Sequence, residues 1–95
     1  MTRPKDTVGK QLVRSIDSIG ANIAEGAGRG SYRDNGRFIT IARGSLTETQ
    51  HWLRRAQVRN LLTSEHIQNL KPLIDKLAPK LNAYRNAITK MAHNQ

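Results

Sequence analysis

An unbroken apolar repeat in the last third of the chain constrains the fold most. Its residues recur at alternating intervals of three and four, which places their side chains along one face of a single amphipathic helix. Pro72 and Pro79 lie within this segment, where a proline removes a backbone hydrogen bond and crowds the preceding turn. Because they are seven residues apart, both fall on the same outward position of the repeat, and the sequence predicts one curved helix, with a break at Pro72 as the alternative. The repeat consists of Ile67, Leu70, Ile74, Leu77, Leu81, Tyr84, Ile88 and Met91.

Two further helices precede this repeat. The first is predicted over about residues 6–27, and the glycines from Gly26 onward are expected to end it by adopting a left-handed conformation. The second is predicted to begin with a cap at Ser31 or Asp34 and to end near Leu61. The apolar face of the first helix consists of Val8, Leu12, Ile16, Ile19 and Ile23. The inner face of the second is predicted to consist of Phe38, Ile41, Ser45, Trp52 and Ala56, widened by Ile39, Leu46 and Leu53.

Short connections between these helices indicate how they pack. A cap at Thr63 or Ser64 starts the third helix only a few residues after the second one ends. Three helices joined in this way predict an all-α fold, an antiparallel up-down helical bundle forming a single domain over residues 1–95. A chain of this length buries a small core, and the apolar surface leaves room for another helix or another subunit.

The composition favours an anionic partner. The chain has 16 lysines and arginines against 7 aspartates and glutamates, a formal net charge of +9 and a pI of about 10.9. This balance favours nucleic acid first, an anionic membrane surface second, and acidic proteins or small-molecule anions third. The absence of cysteine excludes disulfides and thiolate metal sites, and the three histidines lack metal-ligand spacing, so neither a cofactor nor a metal is predicted. With neither a signal peptide nor an apolar run of membrane-spanning length in the sequence, a cytoplasmic protein that does not enter the membrane is expected.

Basic residues are concentrated in the middle of the chain. Residues 29–59 contain seven arginines and only two acidic residues, a net charge of +5. Arginine forms forked hydrogen bonds to phosphate, so this segment is predicted to contact a nucleic-acid backbone, RNA or DNA, with little sequence preference. The predicted contact residues are Arg29, Arg33, Arg43, Arg54, Arg55 and Arg59.

A stretch within and after the first helix resembles a known family. The sequence SIGANIAEGAGRGSYRDNGRFITIARGSLTE, residues 18–48, is similar to the four-helix-bundle proteins encoded in intervening sequences of bacterial 23S ribosomal RNA genes. The match needs no gap. The matching positions are Ser18, Ile19, Asn22, Ile23, Ala24, Glu25, Gly26, Arg29, Ser31, Arg37, Phe38, Ile41, Ala42, Gly44, Ser45 and Glu48.

The resemblance implies a bundle that assembles as a homopentamer. It also implies kinship with accessory proteins of diversity-generating retroelements, which bind a reverse transcriptase and nucleic acid. Members of the family carry a further helix before the position of Pro4–Asp6, so this chain is expected to have three helices, with the first helix of the family absent or shortened.

The polar residues of the motif have a structural interpretation. A half-buried carboxylate needs a partner, so Glu25 is predicted to pair with Arg37 and Asn22 to bond the loop backbone near the glycines. Gly44 and Ser45 are interpreted as small residues that allow close helix contact. The glycine run is an alternative phosphate cradle, but its last glycine is not followed by the lysine and then serine or threonine of a P-loop.

Three functions remain open at this point. The leading one is a noncatalytic scaffold or reverse-transcriptase accessory protein that binds nucleic-acid backbone. The second is a small helical enzyme acting on an anionic substrate, similar to helical chorismate mutases, for which Arg14, Arg37, Arg43 and Glu48 would have to converge on one pocket. The third is an oligomerisation module whose partner is another protein.

Overall fold

Three helices make up the part of the protein that the structure describes. A computed structural model describes residues 4–94, with side chains from Thr7 onward. The helices are α1 (Pro4–Ala27), α2 (Tyr32–Val58) and α3 (Ser64–His93). No strand occurs in these residues, which confirms the all-α prediction. No helix in the described part of the chain has a long enough apolar stretch to span a lipid bilayer.

Two predicted caps are present. The Ser31 hydroxyl accepts a hydrogen bond from the backbone N–H of Asp34 at 3.2 Å, and this bond fixes the start of α2. The Thr63 hydroxyl does the same for the N–H of His66 at 3.1 Å at the start of α3. Each hydroxyl satisfies one of the N–H groups that have no partner within a first helical turn.

The end of α2 is set by a residue that the sequence analysis did not single out. Asn60 has φ 57°, the left-handed conformation, and its N–H bonds the carbonyl of Gln57. The next N–H, of Leu61, bonds back to the carbonyl of Ala56 at 2.9 Å. These two bonds form a Schellman motif, which ends α2 at Val58, three residues before the predicted Leu61.

The end of α1 was predicted at the right place for the wrong reason. The helix ends at Ala27, but no glycine in the described residues adopts a positive φ. The N–H of Gly28 bonds the carbonyl of Ala24 and that of Arg29 bonds the carbonyl of Gly26, both at 3.1 Å. The chain therefore leaves α1 through a right-handed turn. Glycine is required at position 26 because neighbouring atoms leave no room there for a Cβ atom.

Helix α3 is continuous through both prolines. Pro72 and Pro79 lie inside it and are exposed, as predicted from their spacing. A solvent-facing proline leaves the carbonyl four residues earlier free to bond water, which lowers the cost of the missing N–H.

Helix α2 is the central element. It packs against α1 on one side and α3 on the other, whereas no pair of Cα atoms from α1 and α3 lies within 8 Å in the described chain. Apolar residues from all three helices nevertheless form one core cluster. Its buried members are Leu12, Ile19, Leu46, Leu53, Ile74 and Leu81.

The core face of α2 differs from the predicted one. Of the predicted inner residues, Ser45 and Ala56 are buried, but Ile41 is 50% exposed. The main stripe of buried positions has an unbroken spacing of three and four. It is rotated about the helix axis relative to the predicted stripe, so that Ile39 and Leu46, predicted at the margin, lie at its centre. The residues of this stripe are Ile39, Ala42, Leu46, Thr49, Leu53 and Ala56.

Apolar residues of α1 and α3 extend beyond the core. Ile16 of α1 and Tyr84 and Met91 of α3 belong to the predicted stripes, yet 39%, 37% and 45% of their surfaces are exposed. Because no Cα atoms of α1 and α3 lie within 8 Å of each other in the described residues, these side chains of the two stripes stay partly exposed.

Candidate nucleic-acid interface

A seam of small polar side chains joins α1 to α2 through the family motif. The hydroxyls of Ser18 and Ser45 lie 2.8 Å apart, and Asn22 Nδ2 donates to the carbonyl of Ser18 at 2.8 Å. Deeper in the seam, Thr49 Oγ1 lies 2.9 Å from Ser15 Oγ and 2.8 Å from the carbonyl of Ser45. The predicted bond from Asn22 to the glycine loop is therefore wrong, because its own helix supplies a nearer acceptor. The 3–4 spacing of Ser15, Ser18 and Asn22 is the sequence signal for this seam, and it was missed.

The predicted pair of Glu25 and Arg37 does not form. Glu25 accepts from Arg29 at 2.7 Å, one turn along the chain, and Arg37 lies 3.4 Å from Asp34. Both pairs are local and exposed, so Glu25 is not a buried charge that needs a partner from another helix. Arg29 also lies over the ring of Phe38, at 4.8 Å from its centroid, in a cation–π contact. This predicted phosphate contact is thus already held by two neighbours.

The two motif glycines have opposite surroundings. A Cβ added at Gly26 would lie 2.6 Å from Asn35 Oδ1 and 3.0 Å from Phe38 Cβ, so α1 approaches α2 too closely there for any side chain. A Cβ added at Gly44 would meet no atom of another residue within 4 Å, so the prediction that Gly44 permits close helix contact is wrong. Ser45, one residue further around the helix, makes that contact instead.

Glu48 is paired across the two helices. It accepts from Arg14 of α1 at 2.5 Å and from Trp52 Nε1 at 3.3 Å. Of the four residues required by the enzymatic alternative, only Arg14 and Glu48 are brought together. Arg37 borders a groove of about 520 Å³ between the start of α2 and the end of α3, and neither Arg14, Arg43 nor Glu48 lines that groove. The four side chains do not converge on one pocket.

The groups beside the glycine turn that could bind a phosphate are already engaged within the protein. A cavity of about 300 Å³ lies beside the turn and is lined by residues that include Arg29, Gly30 and Ser31. The hydroxyl of Ser31 is already used to cap α2, and the guanidinium of Arg29 is held by Glu25.

Most of the predicted arginines share the exposed half of α2. With the core at positions 39, 42, 46, 49, 53 and 56, a helical repeat of about 3.6 residues places the arginines of α2 away from the core. Arg33, Arg37 and Arg54 are exposed, and Arg43 and Arg55 are half-buried. Arg59 caps the same helix, one turn after Arg55. Among these residues only Arg37 pairs with a carboxylate of the described chain. We call this surface the α2 basic face; it consists of Arg33, Arg37, Arg43, Arg54, Arg55 and Arg59.

Small residues and two paired carboxylates lie between these arginines, together with the exposed side chains of Ile41, His51 and Val58. Gly36, Thr40, Gly44 and Thr47 follow one another at intervals of four, four and three on the same half of the helix. The two acidic residues of α2 are Asp34, which Arg37 pairs, and Glu48, which Arg14 pairs. Both acidic side chains of α2 are therefore paired with an arginine.

Charge is distributed unevenly among the helices. Helix α1 has three basic and three acidic residues and is formally neutral. Residues 29–59 carry +5, and α3, with five basic and two acidic residues, carries +3. The net charge of the protein therefore lies on α2, its flanking turns and α3.

The fold and this surface define a class, that of small basic helical-bundle proteins. Residues 2–83 match the family model described as 23S rRNA-intervening sequence protein, and the chain belongs to this family. The resemblance noted in residues 18–48 is thereby confirmed at the level of the family. No curated protein and no solved structure matches the chain significantly.

Proposed function

We propose that this protein is a noncatalytic nucleic-acid-binding protein that contacts the phosphate backbone through the α2 basic face. The observation that carries the proposal is the placement of six arginines on the exposed half and cap of one helix whose two carboxylates are already paired. An enzyme has no comparable support, since its candidate residues do not converge.

The chemistry of this surface suits phosphate rather than bases. Guanidinium groups neutralise phosphates and release their counterions, which gives affinity without reading sequence. Aromatic side chains that would stack on bases are engaged elsewhere: Phe38 lies under Arg29, and the indole N–H of Trp52 bonds Glu48. We expect RNA and DNA of equal length to bind comparably, whatever their sequence.

A salt titration tests the proposal. Replacing Arg54, Arg55 and Arg59 together by Gln should weaken binding to every duplex and flatten the slope of log affinity against log salt by about one unit per lost phosphate contact. The matched control replaces three exposed lysines of α3, Lys76, Lys80 and Lys90, by Gln. The control removes the same charge from another surface, so it should change the slope less.

The outcomes separate the possible errors. An equal loss of slope in both triple variants would show that total charge, and not the α2 basic face, governs binding. No measurable binding of the wild-type protein at low salt would refute the nucleic-acid function itself.

A second proposal, self-association, rests on the uncovered apolar stripes. Val13 and Ile16 of α1 are three residues apart and remain exposed, as do Leu73, Tyr84 and Met91 on one side of α3. Exposed apolar side chains that share a helix face are suited to a protein interface, and a second copy of this chain is the occupant we propose. The resemblance to the family implies a pentamer and a reverse-transcriptase partner, and both remain proposals.

A further inference from the structure

The α2 basic face is linear, with its charge in two groups. Arg33 and Arg37 form a pair near the start of α2, and Arg54, Arg55 and Arg59 form a triplet at its end. Arg43 is the single arginine between them, and the other residues along that stretch include the uncharged Gly36, Thr40, Gly44 and Thr47. A ligand that uses the whole surface must therefore extend along the helix.

The distance between the two groups of arginines is close to the length of one helical turn of duplex DNA. Arg33 and Arg55 are 22 residues apart, so at about 1.5 Å per residue their Cα atoms are separated by about 33 Å along the axis of α2. One turn of duplex DNA measures about 34 Å. Arg37 and Arg55 are 18 residues apart, which is about five helical turns, so both leave α2 in the same direction.

We propose that duplex nucleic acid lies lengthwise along α2, with the pair and the triplet contacting the same face of the duplex one helical turn apart. This inference rests on the proposed function and adds to it the form of the ligand, its orientation and its minimum length. The two groups then meet backbone that recurs at the same spacing.

A duplex fits the observations better than a single strand. A duplex stays straight over distances far longer than α2, since its persistence length is about 150 bp, and a straight helix therefore matches it without bending either partner. A single strand is flexible and is held chiefly by stacking on exposed aromatic rings. On the α2 basic face, Tyr32 at the helix start is half-buried, and the exposed ring of His51 already packs edge-on against Trp52, with 4.8 Å between the ring centroids.

The length of the duplex is the variable that tests this inference. Mixed-sequence DNA duplexes of 6, 8, 12 and 16 bp would be titrated with the full chain at several salt concentrations. At about 3.4 Å per base pair, only duplexes of about ten base pairs or more reach both groups. We expect affinity to rise about tenfold or more between 8 and 12 bp, because the second group then binds intramolecularly. The salt slope should steepen by about two units at the same step.

A double variant assigns the step to the pair. Replacing Arg33 and Arg37 by Gln should remove the step, because binding of the 12 bp duplex then falls far more than binding of the 8 bp duplex, which the triplet can still hold. The control replaces Lys76 and Lys80 of α3 by Gln, which removes the same charge and should preserve the step. Both pairs of residues are exposed, and thermal melting monitored by circular dichroism verifies that each variant is folded.

Each contrary outcome has a distinct meaning. Binding that rises smoothly with length, or a step that persists without Arg33 and Arg37, overturns the lengthwise arrangement while leaving the proposed function intact. A 12-nucleotide single strand that binds as tightly as the 12 bp duplex overturns the choice of duplex. No binding to any of these ligands at low salt overturns this inference together with the proposed function.

Discussion

At the scale of single residues, the family motif specifies how closely α1 and α2 approach. Gly26 is buried where its Cα faces Asn35 and Phe38, and Ser45 meets Ser18 within hydrogen-bonding distance. Neither contact involves a charged side chain. The motif residues with charges, Glu25 and Arg37, lie on the surface in local pairs. Small size and hydroxyl groups, rather than a salt bridge, are therefore what this motif contributes to the fold.

Alanine substitutions at the two motif glycines should have opposite signs. Gly26→Ala forces a Cβ against Asn35 and Phe38, and we expect a loss of about 1–3 kcal/mol in the free energy of unfolding, as for other overpacked sites. Gly44→Ala meets no neighbour and should gain about 0.5–1 kcal/mol from the higher helix propensity of alanine. Thermal melting of both variants checks this, since about 1 kcal/mol shifts the Tm by 4–8 °C in a domain of this size. A rise in Tm for Gly26→Ala would contradict the close contact.

At the scale of the elements, helix ends are fixed by local chemistry. Ser31 and Thr63 start α2 and α3 with side-chain caps, and Asn60 ends α2 in a left-handed conformation. Each device acts within a few residues along the chain. The turns between the helices are accordingly short, at 28–31 and 59–63, and they hold consecutive helices antiparallel.

Substitutions at Asn60 should show how much its conformation contributes. Asn60→Gly removes the steric cost of the left-handed region and should leave stability unchanged or slightly raised. Asn60→Val places a β-branched residue there and should lower the free energy of unfolding by about 1–2 kcal/mol. Urea unfolding of the two variants gives the comparison. Equal midpoints for glycine and valine would show that α2 does not depend on this residue for its termination.

Features that act over short sequence distances could be predicted. The unbroken 3–4 repeat of α3, its outward prolines and the caps at Ser31 and Thr63 are all confirmed by the structure. The pair between Glu25 and Arg29 has the i, i+4 spacing that stabilises helix surfaces, so that signal was present even though Arg37 was preferred.

Features that depend on which helices meet could not be predicted in the same way. Apolar residues surround more than half of α2, and two different stripes with helical spacing fit them. Contacts with Ser15 and Ser18 of α1 select the stripe that contains Thr49, a residue with no hydrophobic signal. Arg14 and Glu48 are 34 residues apart, and nothing in a single sequence pairs them. The arginines of the candidate interface were predicted by type, but their linear arrangement required the orientation of α2.

At the scale of the whole molecule, the two proposed interactions use different residues. Self-association is proposed for exposed apolar side chains of α1 and α3, whereas the phosphate contact is proposed for the arginines of α2. Helix α2 also exposes Ile41 and Val58, so apolar surface is not confined to the other two helices. The two proposed interactions do not compete for the same residues.

Removing apolar side chains from α3 should weaken self-association. In sedimentation at micromolar concentration, we expect the wild-type chain to form a species larger than the 10.7 kDa monomer. Replacing Leu73 and Met91 by Gln should shift it towards the monomer, because these exposed side chains lose their apolar contacts. Val58→Gln is the control, since Val58 is equally exposed, at 68% against 66% for Leu73, but lies on α2. A wild-type chain that sediments as a monomer would refute the self-association.

The polar seam between α1 and α2 has a consequence for how the two helices come apart. Ser15 and Asn22 donate to carbonyls of α1, and Thr49 Oγ1 lies within bonding distance of a carbonyl of α2. Each of these three side chains therefore keeps a partner when the helices separate, and only the hydroxyls of Ser18 and Ser45 must turn to water. The seam fixes the alignment of the closed hairpin without making its opening costly in unsatisfied polar groups. The strength of α1 docking is therefore set by its apolar contacts and by the Arg14–Glu48 ion pair, rather than by the hydrogen bonds of the seam.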